Sequence, residues 1–212
     1  MTTRVLIADD HEIVRHGLRD ILLTRLGRKV TVAESKDAGE AINLLIHDAW
    51  DLVLLDINMP GRSGLEVLEE ARRLRPKTPV LVLTSYSEEQ FALRAFKLGA
   101  AGYLTKESAS DELITAVKRI LAGGKYVTAS LAERLAARVG KSDELAPHEA
   151  LSHRELQVLR LVALGKAMKE IADELDLSEK TVATYRMRIG EKTGLKSNVE
   201  IARYALKQGL VE

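Results

Sequence analysis

Val5-Leu6-Ile7-Ala8-Asp9-Asp10 is a short apolar run closed by two carboxylates, and the figure returns at Leu52-Val53-Leu54-Leu55-Asp56. Working outward, three further runs of strand length follow the same spacing: Val30-Thr31-Val32-Ala33, Val80-Leu81-Val82-Leu83 and Ala100-Ala101-Gly102-Tyr103-Leu104. Between and after them lie segments with helical periodicity, at about 11–25, 36–48, 64–74, 88–97 and 108–122. Five alternating β-α units predict a parallel sheet with helices on both faces. Three of the runs are apolar throughout, as strands buried on both faces are. The 30–33 run carries Thr31 between valines, which suits an edge strand.

After residue 122 the rhythm breaks. Gly123-Gly124 stops the fifth helix, Leu131 to Val139 reads as a short helix, and Gly140-Lys141-Ser142-Asp143-Glu144-Leu145-Ala146-Pro147 reads as linker. From Leu151 onward no strand signal remains. Ser152-His153-Arg154-Glu155 is a capping box opening a helix to about Leu164, closed by Gly165. A second helix is expected over 167–174. A third, capped by Ser178, covers 179–193 and stops at Gly194; a fourth covers 197–208 and stops at Gly209. The expected organisation is an α/β domain over 1–122, a linker with a short helix over 123–148, and a small all-α four-helix domain over 149–212.

Bulk properties narrow the function classes. The 212 residues carry a net charge of +1 with 46% hydrophobic and 30% charged residues, which fits a soluble globular chain. Residues 1–124 hold 17 basic and 18 acidic side chains, and residues 151–212 hold 11 and 9, too small an excess to identify a DNA binder alone. The absence of cysteine excludes disulfides and thiolate metal sites. No signal-peptide run and no membrane-length apolar stretch is found, so a cytoplasmic location without membrane contact is expected. The histidines His11, His16, His47, His148 and His153 show no metal-ligand spacing. Gly123-Gly124-Lys125 lacks the flanking residues of a phosphate loop.

The ends of the strands carry the chemistry. In an open parallel sheet the carboxyl ends share one edge, and ligands bind where the strand order reverses. With order 2-1-3-4-5 the reversal lies between strands one and three. Asp9, Asp10 and Asp56 then converge, flanked by Thr84 and Lys106. A lone aspartate at a strand end is ordinarily a cap or turn residue; the combination at consistent topological positions is what points to a site. Three carboxylates in one crevice repel one another, and a bound divalent cation relieves this. Oxygen ligands suit Mg²⁺, with Asp10, Asp56 and the Asn58 backbone carbonyl as ligands and Asp9 in the same set. Asp56 can act as a nucleophile on phosphorus, while Lys106 and the metal neutralise the moving charge. An aspartate-nucleophile phosphohydrolase is the rival from the enzyme class; it ordinarily needs a second acid two residues on, where this chain has Asn58.

These residues carry a resemblance. Asp9-Asp10, Asp56-Ile57-Asn58-Met59-Pro60-Gly61 with Gly64, Thr84-Ser85, and Gly102-Tyr103-Leu104-Thr105-Lys106 together resemble the receiver domain of response regulators. That resemblance implies a flavodoxin-like fold and phosphorylation of Asp56 by a sensor histidine kinase. It also makes Thr84 and Tyr103 a switch pair, with Ser85 and Lys106 beside the phosphoryl group. Glu107 stands where many receivers have a proline, which leaves the shape of that loop open.

In the third C-terminal helix Val182, Tyr185 and Ile189 share an inward face, and Lys180, Ala183, Thr184, Met187, Arg188 and Glu191 face outward. Such a face suits the major groove, where Arg reads guanine and Thr or Met touches a thymine methyl. Lys166, Lys169, Lys180 and Lys192 are candidate phosphate contacts, and Thr181 and Tyr185 complete the candidate DNA-contact set. Leu151-Ser152-His153-Arg154-Glu155-Leu156-Gln157-Val158-Leu159, Lys169-Glu170-Ile171-Ala172 and Leu177-Ser178-Glu179-Lys180-Thr181-Val182 resemble the LuxR-type helix-turn-helix domain. The two halves together are similar to NarL-type response regulators. This implies a regulator that binds a double-stranded DNA operator, dimerises when phosphorylated, and masks its recognition helix otherwise. A transcription factor independent of phosphorylation is the remaining alternative. Ala183 and Met187 stand where some relatives have lysines, so the base preference is not carried over.

Overall fold

A computed structural model describes residues 2–27, 29–59, 63–85, 88–138 and 146–211. The chain divides into two compact units, Met1–Lys141 and Ser142–Glu212.

The first unit alternates β1 (Thr3–Ala8), α1 (Glu12–Leu26), β2 (Val30–Ser35), α2 (Ala38–His47), β3 (Leu52–Leu55), α3 (Gly64–Leu74), β4 (Val80–Thr84), α4 (Glu88–Lys97), β5 (Gly102–Thr105) and α5 (Ala109–Leu121). All strand pairs are parallel, in the order β2-β1-β3-β4-β5. The doubly wound sheet expected from the apolar runs is therefore the fold. β2 is an edge strand, as Thr31 suggested, but it extends past Ala33 to Ser35. Val5, Ile7, Leu52, Leu54, Leu81 and Leu83 bury one sheet face against α1 and α5. The alternate residues Leu6, Val53, Leu55, Val82 and Tyr103 are equally buried, and by the period-two rule point to the other face.

The segment after α5 adds to this unit. Tyr126 bridges Gly102 in parallel, and its amide donates to the Ala101 carbonyl at 2.9 Å. The Tyr126 hydroxyl donates to Glu112 Oε2 at 2.7 Å. A Cβ on Gly102 would stand 2.9 Å from Leu81 and 3.1 Å from the Tyr126 carbonyl, so glycine allows this approach. α6 (Ala129–Arg138) then packs on α4. The linker read over 140–147 lies outside the described residues up to 145.

The second unit begins with a 3-10 turn (Pro147–Ala150), followed by α7 (His153–Ala163), α8 (Met168–Leu175), α9 (Glu179–Thr193) and α10 (Asn198–Lys207). The Ser152 hydroxyl accepts from the Glu155 amide, and the Glu155 carboxylate accepts from the Ser152 amide at 2.6 Å, forming the capping box read from the sequence. Asp176 adopts the left-handed conformation (φ 53°) between α8 and α9, and Ser178 caps α9. Leu156, Leu159, Ile171, Val182, Ile189 and Ile201 form the buried interior. Helices α7 and α8 pack against α9 and hold it in place.

Candidate functional site

The strand ends meet because hydrogen bonding continues past the strands. The Asp9 amide donates to the Ser35 carbonyl, the Asp56 amide to the Ala8 carbonyl, and the Lys106 amide to the Thr84 carbonyl. Asp9, Asp56 and Thr84 are buried as a result. The Lys106 Nζ lies 2.7 Å from both Asp9 Oδ2 and Asp56 Oδ2. Burial of this ammonium pulls its pKa down, but the hydrogen bonds to Asp56 and Asp9 outweigh that, and the pKa stands above the ordinary lysine value.

Asp56 Oδ1 accepts from the Asn58 amide at 3.0 Å. The turn is pinned from the other side by α3: a Cβ on Gly64 would lie 2.0 Å from the Asp56 carbonyl oxygen and 2.7 Å from Ile57 Cα. Only a glycine lets the helix N-terminus press this close. Pro60 and Gly61, quoted above in the motif, lie outside the described residues.

Carboxylate oxygens of Asp9, Asp10 and Asp56 and a ring nitrogen of His11 all lie within 4.8 Å of one another. Asp10 Oδ1 is buried and accepts no hydrogen bond, although His11 Nδ1 is 2.8 Å away. Three carboxylates face one ammonium, so the crevice keeps an excess of negative charge. An unsatisfied buried carboxylate oxygen beside oxygen donors fits a hard divalent cation.

Thr84 ends β4 with its hydroxyl buried and without a partner. Tyr103 on β5 pairs with Val82 and is fully buried, which sets it beside Thr84 on one sheet face. Ser85 is exposed. No described peptide bond is cis, Lys106–Glu107 included, which settles the loop that Glu107 left open.

In the second unit Lys180, Thr181, Thr184, Tyr185 and Arg188 line a cavity of about 280 Å³ on the outer side of α9. Ala183 and Met187 are exposed next to it. Tyr185 is thus half-buried on the groove side, where the periodicity had set it inward with Val182 and Ile189. Lys192, read as a candidate phosphate contact, donates its ammonium to the buried Glu155 carboxylate at 2.7 Å. Lys166 pairs with Glu174, and Lys169 is exposed.

Residues 5–118 match the family described as response regulator receiver domain, and residues 149–205 match bacterial regulatory proteins of the luxR family. The chain is a response regulator with a receiver and a LuxR-type DNA-binding domain.

Full-length relatives agree with both matches. The response regulator GacA of Pseudomonas aeruginosa is 36% identical over 210 residues, 99% of this chain and 98% of GacA. UvrY of Escherichia coli is 35% identical over 207 residues, 97% of this chain and 94% of UvrY. A solved LuxR-family regulator from Aurantimonas sp. SI85-9A1 is 36% identical over 66% of this chain and 99% of its own, with TM-score 0.60. RcsB of Salmonella enterica serovar Typhimurium, solved on a promoter with the phosphomimetic BeF3-, is 27% identical with TM-score 0.60, covering 96% of this chain and 98% of its own. No helix among the described residues of the regulator is long and apolar enough to cross a membrane.

Three contacts in the regulator escaped the sequence reading. His11 brings an imidazole into the acidic crevice. Arg15 donates to the Asp9 carbonyl at 2.8 Å while paired with Glu34, which fixes the turn after β1. Glu155 joins the α7 cap to the end of α9. A buried carboxylate with two donors is the kind of group that locks one packing arrangement.

Proposed function

We propose that Asp56 accepts a phosphoryl group from the phosphohistidine of a sensor histidine kinase, and that this changes binding of the LuxR-type domain to a double-stranded DNA operator. A carboxylate oxygen of Asp56 attacks phosphorus. The phosphorus–nitrogen bond breaks, and its electron pair leaves with the imidazole. Lys106 exchanges its bond to Asp56 for one to a phosphoryl oxygen. Thr84 donates its hydroxyl to another, with Ser85 at the rim, and the Tyr103 ring fills the space that Thr84 vacates. Mg²⁺, when bound, supplies neutralisation of the phosphoryl oxygens; Asp10, Asp56 and the Asn58 carbonyl would hold it, with Asp9 alongside. The observation that carries this reading is the Lys106 ammonium shared between Asp9 and Asp56 beside an open Asp10 oxygen.

In this assignment residues 1–122 are the receiver, 123–148 connect, and 149–212 bind DNA. Lys180, Thr181, Ala183, Thr184, Tyr185, Met187 and Arg188 face the major groove, and Lys166 and Lys169 hold phosphates. The phosphorylated regulator acts as a homodimer in the cytoplasm, as suits a chain related to RcsB, which was solved as dimers on DNA. Apart from self-phosphorylation and slow self-dephosphorylation it turns nothing over. Gel-shift titration against operator DNA selected from random sequence, with and without acetyl phosphate and Mg²⁺, tests this. Phosphodonor is expected to raise the affinity of wild type and leave Asp56→Ala unchanged. An equal response in both proteins contradicts phosphorylation control.

A further inference from the structure

A cavity of about 710 Å³ opens at the amino ends of β1, β3, β4 and β5, on the sheet edge opposite the acidic crevice. Small-ligand sites run to roughly 300–1,000 Å³. The charge here is the reverse of the crevice's. Arg72, Lys77 and Lys125 line the cavity against one carboxylate, Asp51, three positive charges to one negative. Asp51 is already engaged, because its Oδ2 accepts from the Arg4 amide at 2.8 Å. Arg72 donates to the Pro76 carbonyl, and none of the three cations pairs with a carboxylate among the described residues. Gly99, at φ +94°, leaves room for the guanidinium: a Cβ there would stand 2.8 Å from Arg72 Nε. Trp50, the only tryptophan of the chain, forms part of the wall.

We propose that this cavity binds a small polyanion of the organic polyphosphate class, at a site separate from the phosphoryl acceptor. The three cations come from different stretches of chain: α3, the loop before β4, and the segment after α5. The fold brings them into one concavity, where they repel one another, and a bound anion relieves that repulsion. A guanidinium fork holds phosphate oxygens in pairs, and the two ammonium groups add point charges. Cations on separate walls suit a ligand with more than one phosphate group. The carboxyl ends of α3 and α5 also draw cations to this edge. That attraction accounts for the bond from Arg72 to the Pro76 carbonyl but leaves the Lys77 and Lys125 ammonium groups without a partner. The cavity has the size of a ligand site and is too small to take a DNA duplex.

Trp50 reports on the cavity from its own wall, so the test is its fluorescence in the full-length protein during titration with tripolyphosphate. Ionic strength is held fixed, and EDTA keeps metal out of the acidic crevice. Wild type is expected to show a saturable change that weakens as salt is raised. Inorganic phosphate is expected to bind more weakly than tripolyphosphate. The double variant Lys77→Gln, Lys125→Gln is expected to lose about tenfold or more in affinity, as removal of hydrogen bonds to charged groups does. Both lysines are exposed, so its thermal unfolding and its mass gain from acetyl phosphate should match wild type. Arg188→Ala should keep the wild-type response, which separates this cavity from the groove on α9. No response in wild type overturns the proposal and leaves the cations as complements of the helix ends. An equal response in wild type and the double variant overturns it too. A response to duplex DNA but none to tripolyphosphate makes this edge a nucleic-acid contact instead.

Discussion

Lys106 Nζ stands 2.7 Å from Asp56 Oδ2, at a position from which it also reaches Asp9 Oδ2 at the same distance. Removing this ammonium leaves two buried carboxylates facing each other without a counter-charge. Breaking a buried pair from one side costs about 3–5 kcal/mol. Lys106→Met is therefore expected to lower unfolding stability by about 3 kcal/mol, with Mg²⁺ restoring part of it. Urea denaturation with and without Mg²⁺ measures this, and an unchanged midpoint contradicts the geometry.

Gly64 makes a second prediction. A methyl group there meets the Asp56 carbonyl oxygen at 2.0 Å, and backbone cannot swing aside as a side chain can. Gly64→Ala is expected to destabilise the receiver by more than about 2 kcal/mol, as overpacking of a tight site does. It should also slow phosphorylation, because the Asp56 turn must shift. Thermal unfolding and the rate of mass gain from acetyl phosphate report the two effects.

The buried, unpartnered hydroxyl of Thr84 separates stability from function. A buried hydroxyl without a partner costs about 1–3 kcal/mol of desolvation. Thr84→Ala is expected to leave the unphosphorylated protein no less stable, while the gain in operator affinity on phosphorylation disappears. A destabilised variant that still responds to phosphodonor would show that the hydroxyl is a packing group and no switch.

Charges on the second domain divide by their partners. Lys169 is exposed, whereas Lys192 is engaged by Glu155 at 2.7 Å. Lys169→Ala is expected to weaken binding to all sequences alike and to reduce the salt slope of log K by about one. Lys192→Met should leave that slope unchanged and lower the stability of the domain instead. Arg188→Ala, on the groove-lining face of α9, should relax base preference. Salt-dependent binding titrations with chemical unfolding distinguish the three.

Much of this was readable from residue order. Strand positions followed from apolar runs buried on both faces, and the site followed from carboxylates placed at their ends. The helical domain announced itself through Ser152 and Glu155, local neighbours in one cap. Long-range pairings were not readable. Glu155 and Lys192 meet only because α7 packs on α9, which no spacing encodes. Tyr126 joins the sheet as a single bridge, so no strand-length run betrays it. His11 neighbours Asp9 and Asp10 in sequence, but its approach to Asp56 depends on how the chain turns into α1. Tyr185 sits at the edge of the helical stripe, and the packing of α9 on its neighbours, which spacing does not give, decided its side.

Intact-protein mass after incubation with acetyl phosphate and Mg²⁺ tests the central claim most directly. Wild type is expected to gain one phosphoryl group and Asp56→Asn none. Equal gain in both proteins, or no gain in wild type, contradicts Asp56 as the acceptor.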